Sequence, residues 1–355
     1  MEKELEFPGF VDVHVHFRDP GLPAAENRFS GALAARRGGF AAVVTMPNTS
    51  PAGDNVAWLR EQIDDASLPV KIYPSACITK GRLGREVAEL ERLAEAGAAF
   101  FTDDGTFVDD DKVMEEAMKR IAALGMVACQ HALKPCGGVI RECALSRALD
   151  LPVVPVSAET DAIRRDLAIC RVTGCRLHIQ HISTAEGVSL VRDARREGLP
   201  VTAEATPHHL LFACDDLKAD DANFKMAPPL GNREDRAELR RAVKAGEVMF
   251  ATDHAPHPAA AKSAGFLGSA NGIISLECAV GATYRAMVEE EGMDVDAWAR
   301  AWWELPRAIV RGIGADIGRT RVAIGESRSV DVAGFASLSR NCPYDGMEFA
   351  CRAVE

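Results

Sequence analysis

Apolar residues gather in eight short segments along the chain: GFVDVHVH (9–16), AAVVTMP (41–47), VKIYPSAC (70–77), AAFFTDD (98–104), MVACQHA (126–132), RLHIQHIS (176–183), VTAEATPHH (201–209) and VMFATDHA (248–255). Near-continuous apolar character over so few positions predicts strands buried on both faces, as in a parallel sheet. Between them the period changes. REVAELERLAEAG (85–97) and DDKVMEEAMKRIAALG (110–125) place apolar residues every three or four positions and end in glycine. TAEGVSLVRDARREG (184–198) starts at a threonine able to cap it and stops at Gly198. Eight strands alternating with helices predict an α/β fold of the (β/α)8 TIM-like barrel type. A doubly wound open sheet is the alternative, but it usually carries a glycine-rich phosphate turn after the first strand, and this chain has none. Two stretches exceed a bare barrel. Residues 133–175 have room for two helices, and 256–272, rich in Ala, Gly and Ser, predict a mobile loop over an active site. The tail beyond about 315 holds short strand-like pieces.

Composition narrows the class. The 355 residues suit one large barrel with an appendage, and 47% hydrophobic with 26% charged residues is the profile of a globular protein. A net charge of −11 argues against nucleic acid or an acidic membrane as the main partner. The ten cysteines are scattered, form no C-x-x-C pair and sit mostly in apolar surroundings, so no disulfide framework is expected. No apolar run reaches the ~20 residues of a membrane span, and MEKELEFPGF has no signal core, so the expected location is the cytoplasm.

The polar residues inside the apolar segments carry the chemistry. Barrel active sites lie at the C-terminal ends of the strands. Those ends hold His14 and His16, Asp103 and Asp104, His131, His181, and Asp253 with His257 just beyond. Burying such groups costs several kcal/mol unless they are paired or ligating, and here they recur at five strand ends. His14 and His16 are two apart, so a strand points both to one face, and Arg18 continues that period. Imidazoles and carboxylates together suit Zn²⁺ or a similar divalent ion, and a carboxylate can bridge two ions about 3.5–4 Å apart. A bound ion that activates water and polarises a carbonyl points to hydrolysis of an amide-like bond. By the same alternation His178 faces away from His181, His254 faces away from Asp253, only one of Asp103 and Asp104 can turn inward, and the adjacent His208 and His209 are structural.

In order along the chain, PGFVDVHVHFRDPG, TMPNTSP, AFFTDDG, HIQHIST, TPHHLL, KMAPPLGNREDR and ATDHAPH resemble class I dihydroorotases of the amidohydrolase superfamily, from about residue 8 to about 310. The resemblance implies the reversible cyclisation of N-carbamoyl-L-aspartate to L-dihydroorotate in pyrimidine (UMP) biosynthesis, at a zinc centre of one or two ions. It assigns His14, His16 and Asp253 to the first ion, Asp104 to a bridge, and His131 and His181 to the second. Asp253 doubles as the general acid/base, and Arg18, Asn48, His257, Asn271 and Gly272 bind substrate. Lys71 is set aside as a carboxylated-lysine bridge because it lies on the third strand, whereas Asp104 occupies the fourth, as in the aspartate-bridged branch.

Three departures from that family stand out. Ala227 occupies the place of an asparagine that contacts substrate, QHAL (130–133) keeps His131 without an acidic neighbour, and both ends are shorter than in relatives. The expected organisation is therefore a barrel over 8–312, with 1–7 and 313–355 as terminal segments left from a reduced or missing small β-domain. The expected partners are a small-molecule substrate, a second copy in a homodimer and aspartate transcarbamoylase, which some relatives bind. Two other readings are a hydantoinase- or dihydropyrimidinase-like cyclic-amide hydrolase, prompted by Ala227 and opposed by Arg18, and an inactive scaffold for aspartate transcarbamoylase, opposed by the four retained histidines.

Overall fold

The computed structural model describes residues 2–63 and 67–354. Its strands are β1 (Lys3–Pro8), β2 (Phe10–Val15), β3 (Phe40–Thr45), β4 (Lys71–Pro74), β5 (Val127–Gln130), β6 (Arg176–Ile179), β7 (Val201–Ala205), β8 (Met249–Phe250), β9 (Arg319–Ser329) and β10 (Glu348–Val354). Two parallel sheets form, one in the order β2-β3-β4 and one in the order β5-β6-β7-β8. Single parallel bridges link them at both seams. Phe101 bridges Ala76 after β4 and Ala128 in β5, and His254 after β8 bridges Val15 in β2. The termini meet in a third, antiparallel sheet of order β1-β9-β10, so the tail supplies two strands, β9 paired with β1 at the chain's start and β10 paired with β9.

The helices are α1 (Arg28–Arg37), α2 (Val56–Ile63), α3 (Leu90–Glu95), α4 (Asp111–Ala123), α5 (Ala144–Ala148), α6 (Val156–Thr173), α7 (Ala185–Arg196), α8 (Pro207–Leu211), α9 (Arg233–Lys244), α10 (Gly265–Gly268), α11 (Ala279–Tyr284) and α12 (Val295–Arg307), of which α1, α2, α4, α6, α7 and α12 pack against strands of the parallel sheets. Trp302 of α12 packs against Phe10, Phe40 and Phe250, whose ring centroids lie 6.4, 5.1 and 5.0 Å away, and so ties β2, β3 and β8 together. The other face carries its own cluster, with Val11, Val13, Val44, Val127, Cys129 and Met249 closed by Ile309 and Val310. Among the described residues no helix is long and apolar enough to cross a membrane. All ten cysteines are free thiols.

Four expectations need correction. AAFFTDD makes only the single bridges at Phe101 and no ladder. The helix expected over 85–97 forms only at Leu90–Glu95, because Val87 pairs with Thr79 and the carbonyl of Glu86 accepts from Lys80 N, which turns the preceding residues into a short hairpin. VTAEATPHH stops being a strand at Ala205, where Thr206 caps α8 and Pro207 takes its first turn, placing both histidines on a helix. The loop 256–272 is not wholly irregular, since it contains a 3-10 turn at Ala259–Lys262 and α10. The two helices expected within 133–175 are α5 and α6.

Candidate metal centre

A bulge in β2 creates the site. Asp12 pairs with Val43 and Val15 with Thr45, so three steps on β2 match two on β3. The extra residue shifts the phase of the strand. Val11 and Val13 stay on the face away from the helices, and His14 and His16 now join them there. Asp12 fixes the bulge by accepting from His14 N (3.1 Å) and Thr252 N (3.0 Å), and burial pushes its carboxyl up to about 7.

Three site residues sit where no strand period operates. Arg18, His181 and Asp253 have φ of 57°, 34° and 47°, left-handed values that cost a non-glycine residue about 1–3 kcal/mol each. Each lies just past a strand, and the sharp turn aims its side chain back over the strand ends. Arg18 therefore reaches the site by this turn, not by continuing the alternation of β2.

The six candidate ligands come together. His14 Nε2 is 3.2 Å from Asp104 Oδ1 and 3.5 Å from Asp253 Oδ1. His16 Nε2 is 3.0 Å from Asp253 Oδ1 and 3.4 Å from Asp104 Oδ2. His131 Nδ1 and His181 Nε2 lie 3.6 and 3.7 Å from Asp104 Oδ1, and 2.8 Å from each other. Two sets hold ligand atoms all within 4.8 Å of one another, His14 with His16 and Asp253, and His14 with Asp104 and His181. His14 Nε2 and Asp104 Oδ1 are buried without a hydrogen-bond partner, which a divalent ion would satisfy. Electrostatics point the same way. Burial disfavours charge on His14, yet Asp104, Glu204 and Asp253 overcome it and push the imidazole well up, so the cluster demands positive charge there. Burial likewise opposes ionised Asp104 and Asp253, but the facing imidazoles hold both carboxyls below the usual carboxylate range.

The ambiguities of alternation resolve individually. Asp104 faces the centre, while Asp103 turns away and accepts from the backbone of Ile78 (2.9 Å) and Thr79 (3.1 Å). His254 faces away, toward Glu26. His178, expected to face away as well, instead points beneath the centre and donates to Glu204 Oε2 (2.9 Å). His209 is tied to Thr206 Oγ1 (2.8 Å) and the Pro228 carbonyl (3.1 Å), and His208 is buried beside it. Lys71 is exposed at the start of β4 and lines a separate cavity with Arg36 and Arg319.

Above the ligands lies a cavity of about 200 Å³, lined among others by Arg18, Asn48, His257, Asn271, Gly272 and Ala227. Arg18 Nε donates to the Pro256 carbonyl (3.2 Å), and its Nη2 is 3.3 Å from His257 Nε2, which also lies 2.7 Å from the Asn271 carbonyl. Burial, aided by Arg18, pushes His257 down to about 4 and keeps it neutral. Asn48 does more than line the cavity. It accepts from His16 Nδ1 (2.8 Å) and donates to Asp104 Oδ2 (3.3 Å), orienting two ligands. Lys262 clamps the covering loop by donating to the carbonyls of Lys225 (3.1 Å), Ala270 (2.9 Å) and Gly272 (2.8 Å).

Glu204 is the main residue missed from the sequence. It accepts from His14 Nδ1 (2.5 Å), His178 Nε2 (2.9 Å) and His181 N (3.1 Å). Burial pushes its carboxyl up, but His14 and His178 prevail and hold it down at about 2. Its signal was available, since a glutamate in VTAEATP is as anomalous in an apolar strand as the histidines elsewhere.

The family model described as Dihydro-orotase-like matches residues 4–187. A dihydroorotase of Geobacillus thermodenitrificans is 40% identical, over 97% of this chain and 83% of its own length, and one of Bacillus caldolyticus is 39% identical over 96% and 83%. Among solved structures, an L-hydantoinase (dihydropyrimidinase) from Arthrobacter aurescens superposes with a TM-score of 0.88 at 25% identity, covering 99% of this chain and 83% of that one. A Saccharomyces cerevisiae dihydroorotase in complex with 5-fluoroorotic acid shares the fold with a TM-score of 0.81 at 16% identity, covering 99% and 98%. With that family model over half its length and such relatives along nearly all of it, the chain belongs to the dihydroorotase family of cyclic amidohydrolases.

Proposed function

We propose that this protein is a zinc-dependent dihydroorotase of the aspartate-bridged class I type, built on a (β/α)8 barrel, that interconverts N-carbamoyl-L-aspartate and L-dihydroorotate. The barrel reading is supported by the single bridges that join the two parallel sheets, through Phe101 on one side and between Val15 and His254 on the other. The observation that carries the function is Asp104, whose carboxylate faces four imidazoles with Asp253 alongside.

Zinc bound there would supply the positive charge that polarises the scissile carbonyl and makes water nucleophilic near neutral pH. His14, His16 and Asp253 would hold one ion and His131 and His181 a second, with Asp104 between them. Arg18, Asn48 and His257 grip the substrate carboxylate at the other end of the cavity, a role for which a guanidinium fork is well matched. That grip sets the ring amide against Asp253. In hydrolysis the Asp253 carboxylate takes a proton from the attacking water and delivers it to the ring nitrogen as the C–N bond breaks. In cyclisation it takes the proton from the carbamoyl nitrogen.

Treatment with a chelator is expected to abolish turnover of L-dihydroorotate, followed spectrophotometrically, and added Zn²⁺ to restore it. Turnover indifferent to both would overturn the proposal. The Lys262 clamp acts on substrate retention, so Lys262→Met is expected to raise KM by roughly tenfold with a smaller effect on kcat. A fall in kcat at unchanged KM would assign Lys262 a different role.

A second reading rests on Ala227, which lines the cavity where the family has asparagine. A hydantoinase- or dihydropyrimidinase-like enzyme would turn over hydantoins and uncharged dihydropyrimidines in preference to dihydroorotate, and a substrate panel separates the two.

A further inference from the structure

The site cavity continues past Ala227. A second cavity of about 490 Å³ adjoins it, and the two share Gly105, His131, Ala227 and Asn271. Gly105, at φ 77°, brings no side chain to the partition, and a Cβ there would lie 3.2 Å from both Arg82 Nη2 and Asn48 Nδ2. Ala227 contributes only a methyl group.

The chemistry of this second cavity is one-sided. Its walls include Arg82 and Lys134 and not one Asp or Glu, in a chain with 52 acidic and 41 basic residues. Arg82 donates Nη2 to the Asp104 carbonyl (2.6 Å), which aims the guanidinium along the partition and leaves its Nε buried without a partner. Its φ of 56° is a second mark of a side chain held against local preference. Lys134 Nζ lies 5.9 Å from the centre of the Phe107 ring. Neither cation has an ion-pair partner among the described residues. A substrate with one carboxylate is already served by Arg18, which leaves Lys134 and the Nε of Arg82 with no part in holding it.

We propose that the second cavity is an anion-binding subsite of the same active site. It suits cyclic ureides, and their ring-opened carbamoyl acids, that carry a second carboxylate on a short arm. The ring lies over the His14–Asp104 centre, and the arm passes Gly105 and Ala227 to reach Arg82 and Lys134. This rests on the dihydroorotase reading of the centre itself.

The test is inhibition of L-dihydroorotate turnover by the zinc-loaded enzyme. The probes are orotates bearing a carboxymethyl arm at ring N1 or at C5, each paired with its uncharged ethyl counterpart. One of the two carboxymethyl compounds is expected to inhibit roughly fivefold more tightly than its ethyl counterpart, as for a partly exposed ion pair. Lys134→Met, at a side chain with no hydrogen bond or ion pair to a candidate ligand among the described residues, is expected to remove that preference while kcat/KM for dihydroorotate stays within about twofold of wild type. Arg82→Met is expected to remove it too, read as the ratio of the two inhibition constants within the variant, because Arg82 also supports Asp104. No charge preference at either position, or one that survives both substitutions, overturns the subsite. So does a salt-sensitive loss of dihydroorotate kcat/KM in Lys134→Met, which would assign the cations to steering a single carboxylate. Absence of wild-type dihydroorotate turnover fails the underlying reading instead, and calorimetric binding of the same orotate pairs then decides the subsite by the same ratio.

Discussion

Asp253→Asn is expected to lower kcat by roughly 10²–10⁴-fold in both directions of the reaction, the usual cost of removing a positioned general acid/base. The amide matches the carboxylate in size and leaves His14, His16 and the left-handed turn at position 253 in place, but it cannot take up and release the proton. Arg18, Asn48 and His257 are untouched, so KM is expected to stay within a few-fold of wild type. The check is kcat and KM for dihydroorotate and for carbamoyl-aspartate, measured beside the zinc content of the same preparation. Full metal content with turnover within tenfold of wild type would remove Asp253 from the proton path. Low turnover with lost metal would assign it to ligation alone.

That residue also marks where sequence reasoning reached and where it stopped. Position was legible, because a charge or imidazole at the end of an apolar segment is costly enough to require a reason, and the reason recurred at five ends. Orientation was legible only in part. His14 and His16 do share a face, as period two demands, but that face is the interior one only because a bulge at β2 adds a residue against β3. Without it, the face of Val11 and Val13 would exclude both histidines. Arg18, His181 and Asp253 lie past their strands at positive φ, where no alternation applies, and His178 was assigned to the wrong side for that reason. Such turns are set by tertiary contacts, such as the hydrogen bond from His16 N to the His254 carbonyl, which join residues far apart in sequence.

The fold divides similarly. Long amphipathic stretches such as Asp111–Ala123 and Ala185–Arg196 formed helices, the second capped by Thr184 as expected, because their local signals agree with their packing. Short segments depended on neighbours. Phe101 needs Ala76 and Ala128 on its two sides to be extended at all, and Lys3–Pro8 becomes a strand only because β9, more than three hundred residues later, pairs with it.

The second large effect is expected at Glu204, whose role lies beneath the ligands. It is a fully buried carboxylate that three donors hold in the ionised state. Such outer partners fix the tautomer and direction of a ligating imidazole, and Glu204→Gln is expected to weaken zinc binding by roughly 10–100-fold, read by competition with a chromophoric chelator. It is also expected to destabilise the metal-free protein near neutral pH. Folding lowers this carboxyl from 4.5 to about 2, so its contribution, on the order of 3 kcal/mol, is complete above pH ~4.5 and fades as pH falls toward the folded value. The gap in Tm between wild type and Glu204→Gln should therefore be widest at neutral pH and narrow below about pH 4.5. A gap that stays constant down to pH 3 would mean that Glu204 contributes through packing and not through its charge.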